Sequence, residues 1–253
     1  MTEWWDSFSL TEAEFPQIQI LDSATSTNEV VRESDLGASE YGVTITPHQT
    51  QGRGRLGRRW ISRSGESLAM SVLVPQLSEP HKPWLPLVVG GSLTRSLRCA
   101  GLGKAEMKWP NDVLVRGQKL AGVLCESLPS DRVVVGVGLN VDFGLKGGPA
   151  PRAVDLARYL PISASLVDGI VHGALARLRA WCEVRPDKAI PSARQIVEPV
   201  LATLGRLVTV HEPGGRSWSG YAQELSDEGH LLVETAWGHL SPVVASDIEH
   251  LRQ

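Results

Sequence analysis

At its centre the chain carries the segment Lys108-Trp-Pro-Asn-Asp-Val-Leu-Val-Arg-Gly-Gln-Lys-Leu-Ala-Gly-Val-Leu-Cys125. The apolar runs on either side of Arg116-Gly-Gln118 predict two β-strands, and those three residues predict the tight turn of a hairpin. Trp-Pro ahead of the first strand excludes a helix there, because proline restricts its own backbone and that of the preceding residue. A strand at 105–108 comes before the hairpin and a strand at 132–140 follows it. The centre of the chain is therefore expected to form part of a sheet with antiparallel strands.

Outward from this segment, strands and helices are mixed rather than strictly alternating. Strands are predicted at 17–21, 42–46 and 67–74, and helices at 84–102, 163–183 and 192–204. This order favours an α+β fold with a mixed sheet over a doubly wound parallel sheet. After Gly205 come short strands separated by turn residues, which predict a small β-barrel. The expected domains are residues 1–205 and 206–253.

The amino-acid composition excludes several classes of protein. The 253 residues are 42 % hydrophobic and 21 % charged, with a net charge of -3, as in ordinary globular proteins. Three isolated cysteines without a C-x-x-C pair argue against a secreted disulfide scaffold and against structural zinc. Neither a signal peptide nor an apolar run long enough to cross a membrane is evident. A cytoplasmic location is expected.

The most informative segment for function is Gly52-Arg-Gly-Arg-Leu-Gly-Arg-Arg-Trp60. It satisfies the G-x-G-x-x-G spacing, but a dinucleotide-binding loop must open a helix, whereas a loop and a strand are predicted here. Four arginines and no acidic residue lie within it, on a chain of negative net charge. Glycine backbone and guanidinium forks together suit a carboxylate or phosphate ligand. The alternatives are a solvated basic loop and a nonspecific nucleic-acid patch.

Other segments carry weaker signals, each with two interpretations. Asn111 and Asp112 suit a Mg²⁺ ion beside phosphate oxygens, or an Asx turn that starts the hairpin. Lys119 opens a strand that looks buried, so it either meets an anion or extends to water. The glycines of Gly136-Val-Gly138 indicate close approach of a ligand or of another chain segment. Asn140 suits contact with an amide or a base edge, or a structural cap.

Taken in order, these motifs closely resemble those of the biotin–protein ligases. They are Ser26-Thr-Asn28, Gly52 to Trp60, Lys108 to Asp112, Lys119-Leu-Ala-Gly122 and Gly136 to Asn140, and the resemblance covers about residues 20–142. It implies a catalytic domain of the biotin/lipoate ligase type followed by a small SH3-like β-barrel. It also implies activation of biotin by MgATP to biotinyl-5′-AMP. Biotin then passes to a lysine of a biotin carboxyl carrier domain of acetyl-CoA carboxylase or a related carboxylase.

The resemblance also implies roles for individual residues. Lys119 and Arg55 are the expected catalytic residues, and Asp112 is expected near Mg²⁺. The expected biotin-binding residues are Ser26, Thr27, Asn28, Gln49, Gly52, Arg53, Arg55, Lys119, Gly122 and Gly138. The expected ATP-binding residues are Arg55, Arg58, Trp60, Asn111, Lys119 and Asn140.

Two rival functions stay open at this point. A lipoate–protein ligase or octanoyltransferase resembles the same catalytic core, although the arginine-rich run and Lys108-Trp-Pro-Asn-Asp112 favour biotin. A nucleic-acid-binding module is the rival from another class, but residues 206–253 hold three arginines against seven acidic residues, which makes a poor partner for phosphate backbones. Only some twenty residues precede the first motif, so a DNA-binding repressor form is not expected. Gln51 departs from the alanine common in the family, and the oligomeric state, including a homodimer, is left open.

Overall fold

A computed structural model describes residues 3–37, 39–61, 63–212, 214–244 and 246–250, and for Lys146 the backbone only. The helices are α1 (Ser9–Glu14), α2 (Thr27–Arg32), α3 (Leu85–Cys99), α4 (Ala164–Cys182) and α5 (Pro186–Val197). The strands are β1 (Ile18–Ile20), β2 (Gly42–Thr46), β3 (Ser67–Val74), β4 (Ala105–Lys108), β5 (Asp112–Val115), β6 (Gln118–Ser127), β7 (Val133–Asn140), β8 (Leu207–His211), β9 (Ser217–Leu225), β10 (Leu231–Glu234), β11 (Leu240–Val243) and β12 (Asp247–His250).

The first seven strands form one mixed sheet in the order β1-β2-β3-β7-β6-β5-β4. β1 and β2 are parallel, and every other neighbouring pair is antiparallel. Between β5 and β6, Arg116 and Gly117 have φ of 51° and 74°, the left-handed conformation that a two-residue hairpin turn requires. The expected α+β class and the central hairpin are confirmed.

The two faces of this sheet differ. On β3, Leu68, Met70 and Val72 belong to the main core, which also holds the buried side chains of α3 and α4. Successive side chains on a strand point to opposite faces, and Leu73 accordingly packs on the other side, against Val31 of α2. The face beneath α2 is therefore only partly filled by apolar side chains, which leaves room there for polar groups.

The last five strands form a second, antiparallel sheet in the order β11-β10-β9-β8-β12. It agrees with the expected small SH3-like barrel, while the domain boundary near residue 205 stays a prediction. The indole nitrogens of Trp84 and Trp109 donate to the carbonyl oxygens of Asp227 (2.7 Å) and Gly229 (3.1 Å), so the β9–β10 turn is bonded to the first part of the chain. Residues 251–253, at the end of the expected barrel, lie outside the described residues.

Two elements near the ends of the first part differ from expectation. The helix expected at 192–204 is α5, which begins six residues earlier, at Pro186. Proline suits the first turn of a helix, where its missing N–H leaves no hydrogen bond unmade, and Pro199 lies just past the helix end. The short helix α1 has no strong periodic signal and was not expected. None of the described helices has the length and apolarity needed to cross a membrane.

Candidate functional site

A cavity of about 160 Å³ opens on the face of the large sheet that carries α2. Strands β6 and β7 form its floor, and α2 closes one side. The arginine loop, defined here as residues 52–60, covers it, and one residue of β12 reaches its rim. The lining residues are Ser26, Thr27, Asn28, Gln49, Arg53, Gly54, Arg55, Arg58, Arg59, Trp60, Asn111, Asp112, Lys119, Gly122, Val123, Leu124, Gly136, Val137, Gly138 and Asp247.

Glycines form the floor of the cavity because other groups lie directly against the strand backbone. In the β6–β7 register Gly122 lies opposite Gly138, and Gly136 lies two residues further along the same face. A Cβ atom at Gly138 would meet the ring of Trp60, and one at Gly136 would meet the side-chain amide of Asn28. The close approach expected from these glycines is therefore present, and it admits an indole and an amide.

The end of the cavity beneath α2 is neutral and polar. Gln49 Oε1 accepts hydrogen bonds from Thr27 N (2.8 Å) and Thr27 Oγ1 (3.1 Å). Ser71 Oγ lies 2.6 Å from Thr27 Oγ1, and Asn28 Nδ2 donates to Glu126 Oε2 at 2.6 Å. These contacts fix the rotamers of buried hydroxyl and amide groups, which suits a rigid, uncharged ligand with several hydrogen-bonding atoms.

The arginine loop is a compact hairpin rather than the start of a long helix. Gly54 N donates to Arg58 O (2.8 Å) and Trp60 N to Gly52 O (2.9 Å). At its tip Leu56 and Gly57 adopt φ of 55° and 72°. This geometry agrees with rejecting a dinucleotide-binding fingerprint, because no long helix begins at the glycines.

The opposite end of the cavity is cationic. Five cationic side chains and two carboxylates are among its lining residues. Arg55 Nη1 donates to Asn111 Oδ1 (3.1 Å) and lies 3.5 Å from Asp247 Oδ1, and Arg58 pairs with the same carboxylate. Lys119 Nζ lies 2.6 Å from Asp112 Oδ1. The excess of positive charge suits a ligand with several anionic groups.

The charges and burial at this end also shift the pKa of Lys108, the last residue of the neighbouring strand β4. Burial lowers the pKa of Lys108, the nearby carboxylate of Asp112 opposes this shift, and the charge of Lys119 adds to it. Among the described residues, no three His, Cys, Asp or Glu side chains converge to hold a metal ion alone. The carboxylate of Asp112 fits the different arrangement usual for Mg²⁺, in which one protein carboxylate acts beside phosphate oxygens and water.

The structure brings most of the expected site residues into this one cavity. Among the described residues, Gly52 and Asn140 are the expected ones that do not line it. Gly52 is the first residue of the arginine loop, where a Cβ would approach Trp60 O to 2.5 Å. Asn140 is buried, and its Nδ2 donates to Lys119 O (3.2 Å) and Val154 O (3.0 Å), so it holds β7 to the start of β6 and the segment after the sheet. Its expected contact with ATP stays a prediction.

Sequence reasoning did not assign several residues that line the cavity. Gly54 and Arg59 lie within the arginine-rich segment already singled out, and Val123, Leu124 and Val137 lie on the strands beside it. Asp247 has no such signal, because it lies more than a hundred residues further along the chain, on a four-residue strand that was not expected. Only the docking of the second sheet against the first brings it to the site.

Comparison with known proteins agrees with this geometry. Residues 20–142 match the biotin/lipoate A/B protein ligase family. The biotin--[acetyl-CoA-carboxylase] ligase of Mycobacterium tuberculosis is 33 % identical over 246 residues, covering 93 % of this chain and 90 % of that protein. The biotin protein ligase of Aquifex aeolicus, solved in complex with biotin and ATP, superposes with a TM-score of 0.76 at 26 % identity, covering 94 % of this chain and all of that one.

A third relative extends the comparison to a bound adenylate. The biotin protein ligase of Leishmania major, solved with biotinyl-5-AMP, superposes with a TM-score of 0.59 at 27 % identity, over 90 % of this chain and 98 % of that one. The similarity therefore includes both parts of the chain as well as the motif-bearing region. The chain belongs to the biotin protein ligases of the biotin/lipoate A/B protein ligase family.

Proposed function

We propose that this chain is an ATP-dependent biotin–protein ligase, which activates biotin to biotinyl-5′-AMP and transfers it to a lysine of a carrier domain. The observation that carries the proposal is the division of one cavity into two ends. A neutral, hydrogen-bonding end lies beneath α2, and a cationic end lies between the arginine loop and Lys119. Biotin has a neutral ureido ring and an anionic carboxylate, and it reacts with an anionic nucleotide, so each part of the substrates has a matching end.

The neutral end is assigned to the ureido ring of biotin. Ser26, Thr27, Asn28 and Gln49 supply hydroxyl and amide groups there. The side chains of Thr27, Asn28 and Gln49 are already ordered by bonds to one another or to Ser71 of the sheet. Preorganised donors and acceptors lower the cost of ordering side chains when a ligand binds. The glycine floor lets the side chains of Trp60 and Asn28 lie close to the strands.

The cationic end is assigned to the first chemical step. The biotin carboxylate attacks the α-phosphate of ATP, an acyl–phosphate bond forms, and pyrophosphate leaves. Two anions must approach one another, so Arg55 and Lys119 are assigned to offset their repulsion and hold the acyl-phosphate. Arg58, Trp60 and Asn111 are assigned to the adenylate side. Catalysis then consists of positioning and electrostatic stabilisation, without a protein nucleophile.

Asp112 is assigned as the protein ligand of Mg²⁺. The ion, when bound with ATP, would offset charge on the phosphate oxygens. The Asp112 carboxylate pairs with Lys119, so the same side chain also holds that lysine at the edge of the cavity. The two roles are compatible, because a carboxylate has two oxygens.

In the second step the amine of a carrier lysine attacks the acyl carbon, an amide forms, and AMP leaves. We propose as the partner a biotin carboxyl carrier domain of acetyl-CoA carboxylase or a related carboxylase, since the name of the Mycobacterium tuberculosis relative gives acetyl-CoA-carboxylase. We also assign the protein to the cytoplasm. The three cysteines, Cys99, Cys125 and Cys182, are free thiols, as expected where disulfides do not persist. Fractionation of cells expressing the tagged chain tests this assignment.

The direct test of the first step is pyrophosphate release by the purified chain with MgATP and one acid at a time. Biotin is expected to support release, whereas lipoate and octanoate are not. Release with lipoate or octanoate but not with biotin would contradict the proposal and favour the lipoate branch of the family. Omission of the acid gives the background rate.

A further inference from the structure

The Asn28 amide, at the neutral end of the cavity, is bonded from two sides of the sheet. Asn28 is buried on α2, and its Oδ1 accepts a hydrogen bond from Ser71 Oγ of β3 at 2.5 Å. Its Nδ2 donates to Glu126 Oε2 at 2.6 Å. Glu126 lies on β6, two residues beyond Leu124 of the cavity and on the same face of the strand. Among the residues that the structure describes, Glu126 itself does not line the cavity.

The Glu126 carboxylate decides which way this amide faces. A carboxylate only accepts hydrogen bonds, whereas a carboxamide has a donor nitrogen and an acceptor oxygen. In the reversed orientation, Asn28 Oδ1 would face the carboxylate with no hydrogen between the two oxygens. A buried polar group left without its hydrogen bond costs more than the bond contributes when it is made. Glu126 therefore selects the orientation in which the Asn28 nitrogen faces β6 and the oxygen faces Ser71.

Glu126 also contacts a second residue of the same helix. Arg32 lies one turn after Asn28 on α2, and its Nη2 is 3.3 Å from Glu126 Oε2. The side chains of Arg32 and Glu126 are 39 % and 26 % exposed, so water screens this ion pair and its contribution to stability is small. The two contacts of Glu126 can thus be separated, because one ties the helix to the sheet and the other orients a group of the cavity.

The orientation of Asn28 fixes what this side chain offers to a ligand. A carboxamide has two N–H bonds and an oxygen with two lone pairs. Glu126 and Ser71 use one of each, so one donor and one acceptor position remain on a side chain that lines the cavity. The amide also lies directly against the backbone of Gly136, which leaves it little room to turn. A ureido ring has N–H groups and a carbonyl at fixed positions, so a reversed amide would not match it.

We propose that Glu126 is a specificity-determining positioning residue, which fixes the Asn28 amide and thereby the hydrogen bonds that it offers to the ureido ring of biotin. Glu126 is not a catalytic residue, since it acts through Asn28. The inference rests on the proposed function for the identity of the ligand, whereas the orientation of the amide rests on the contacts alone.

A double-mutant cycle with biotin as the titrant, followed by titration calorimetry, tests the inference. Glu126→Ala is expected to raise the Kd for biotin about tenfold, as for the loss of one hydrogen bond to a charged group. Since Glu126 acts through Asn28, the double variant is expected to bind biotin as weakly as Asn28→Ala alone, within about twofold. Effects that multiply in the double variant, or a Glu126→Ala variant that binds like the wild type, would overturn the inference.

Arg32→Ala is the matched control, because it removes the ion pair of Glu126 and leaves the bond to Asn28. Its Kd for biotin is expected to stay within about twofold of the wild-type value. An equal loss of affinity in Arg32→Ala and Glu126→Ala would overturn the inference, since Glu126 would then only tie α2 to the sheet.

Glu126→Gln keeps the length of the side chain but removes the charge that selects the orientation, and it is expected to raise the Kd about threefold. This variant decides the question if Glu126→Ala does not fold, and wild-type affinity in it would then overturn the inference. Melting temperatures of all variants identify any general loss of folding.

Kinetics distinguish recognition of the ring from a general effect on the site. In pyrophosphate release by Glu126→Ala, the KM for biotin is expected to rise about tenfold, while kcat and the KM for ATP change by less than about twofold. A parallel rise in both KM values would overturn the inference. A wild type that neither binds biotin nor releases pyrophosphate with it would contradict the proposed function, and the inference with it. An unchanged Glu126→Ala variant beside an active wild type would overturn the inference alone.

Discussion

At the scale of single residues, the proposed first step assigns the main catalytic role to Lys119. Its ammonium group lies at the cationic end of the cavity beside Asp112. We expect Lys119→Ala to lower the rate of pyrophosphate release by about 10²–10³-fold, comparable to the loss of one donor to a developing anion. Stopped-flow or coupled-enzyme measurement of the first step checks this.

Lys104→Ala is the control for that variant, because Lys104 is an exposed lysine that does not line the cavity among the described residues. Its rate is expected to equal that of the wild type. A Lys119→Ala variant that forms the adenylate at a nearly normal rate would contradict the assignment of this lysine.

The glycine floor gives a second prediction for a single residue. A Cβ at Gly138 meets the ring of Trp60, so the indole or the strand must shift. Overpacking of this kind costs about 1–3 kcal/mol, and we expect Gly138→Ala to raise the KM for biotin about tenfold. Gly103→Ala is the control, because a Cβ there meets nothing within 4 Å. Equal KM values in the two variants would show that the floor tolerates a methyl group.

The residues of the site were largely predictable because their chemistry is unusual for their position. Three features of the sequence each destabilise the folded chain when no ligand compensates for them. They are four arginines without an acid in a net-negative chain, a lysine at the start of a strand expected to be buried, and glycines within a strand. Asn140 lies in the same motif region, but its amide is used to bond the backbone of β6 and of the segment after the sheet. Sequence alone could not separate these two uses of an asparagine.

At the scale of elements, α4 allows a prediction that is independent of the site. Gly169 lies within this 19-residue helix, is exposed, and a Cβ there meets nothing within 4 Å. Glycine in a helix interior is less favourable than alanine by up to about 1 kcal/mol. We expect Gly169→Ala to raise the free energy of unfolding by about 0.5–1 kcal/mol, measured by urea denaturation. A decrease would show that α4 requires glycine for packing.

Helices and strands with a strong local sequence pattern were predicted correctly, whereas those with a weak pattern were missed or misplaced. β3 is a mainly apolar segment, with Ser67 and Ser71 as its polar residues, and is found at Ser67–Val74, as expected from 67–74. The expected start of α5 at residue 192 was six residues too late, because this helix begins at Pro186 and proline suits the first turn of a helix. β12 has four residues and few apolar ones, so its existence depends on pairing with β8.

At the scale of the whole molecule, charge is distributed between the two parts of the chain. The net charge of -3 combines a cavity with five cationic side chains and a second part with three arginines and seven acidic residues. One of those acidic residues, Asp247, lies at the cavity, where it meets two of the arginines. The near-neutral total therefore conceals a contact between opposite charges that the fold creates.

The junction of the two parts also predicts a pH dependence of stability. Burial lowers the pKa of His250 to about 4, and the charges of Lys108 and Arg206 act in the same direction. Thr203 Oγ1 accepts a hydrogen bond from Trp109 N and lies 3.1 Å from His250 Nε2, which suits a neutral ring that accepts the hydroxyl proton. The unfolded chain, with an ordinary histidine pKa of 6.5, binds the extra proton first.

Stability contributed by neutral His250 is therefore complete above pH 6.5 and is lost as the pH falls toward 4. We expect the free energy of unfolding of the wild type to fall more between about pH 7 and pH 5 than that of His250→Gln, whose side chain does not titrate. Urea denaturation at both pH values measures this difference. Equal losses in the two proteins would show that His250 does not couple protonation to folding.

The central claim is that the chain transfers biotin through an adenylate held in this one cavity. The measurement that tests it most directly is the intact mass of a biotin carboxyl carrier domain incubated with the chain, biotin and MgATP. We predict a gain of one biotinyl group, located on one lysine, and little gain with Lys119→Ala. A carrier domain that remains unmodified with the wild type, while a known biotin protein ligase modifies it in parallel, would contradict the account.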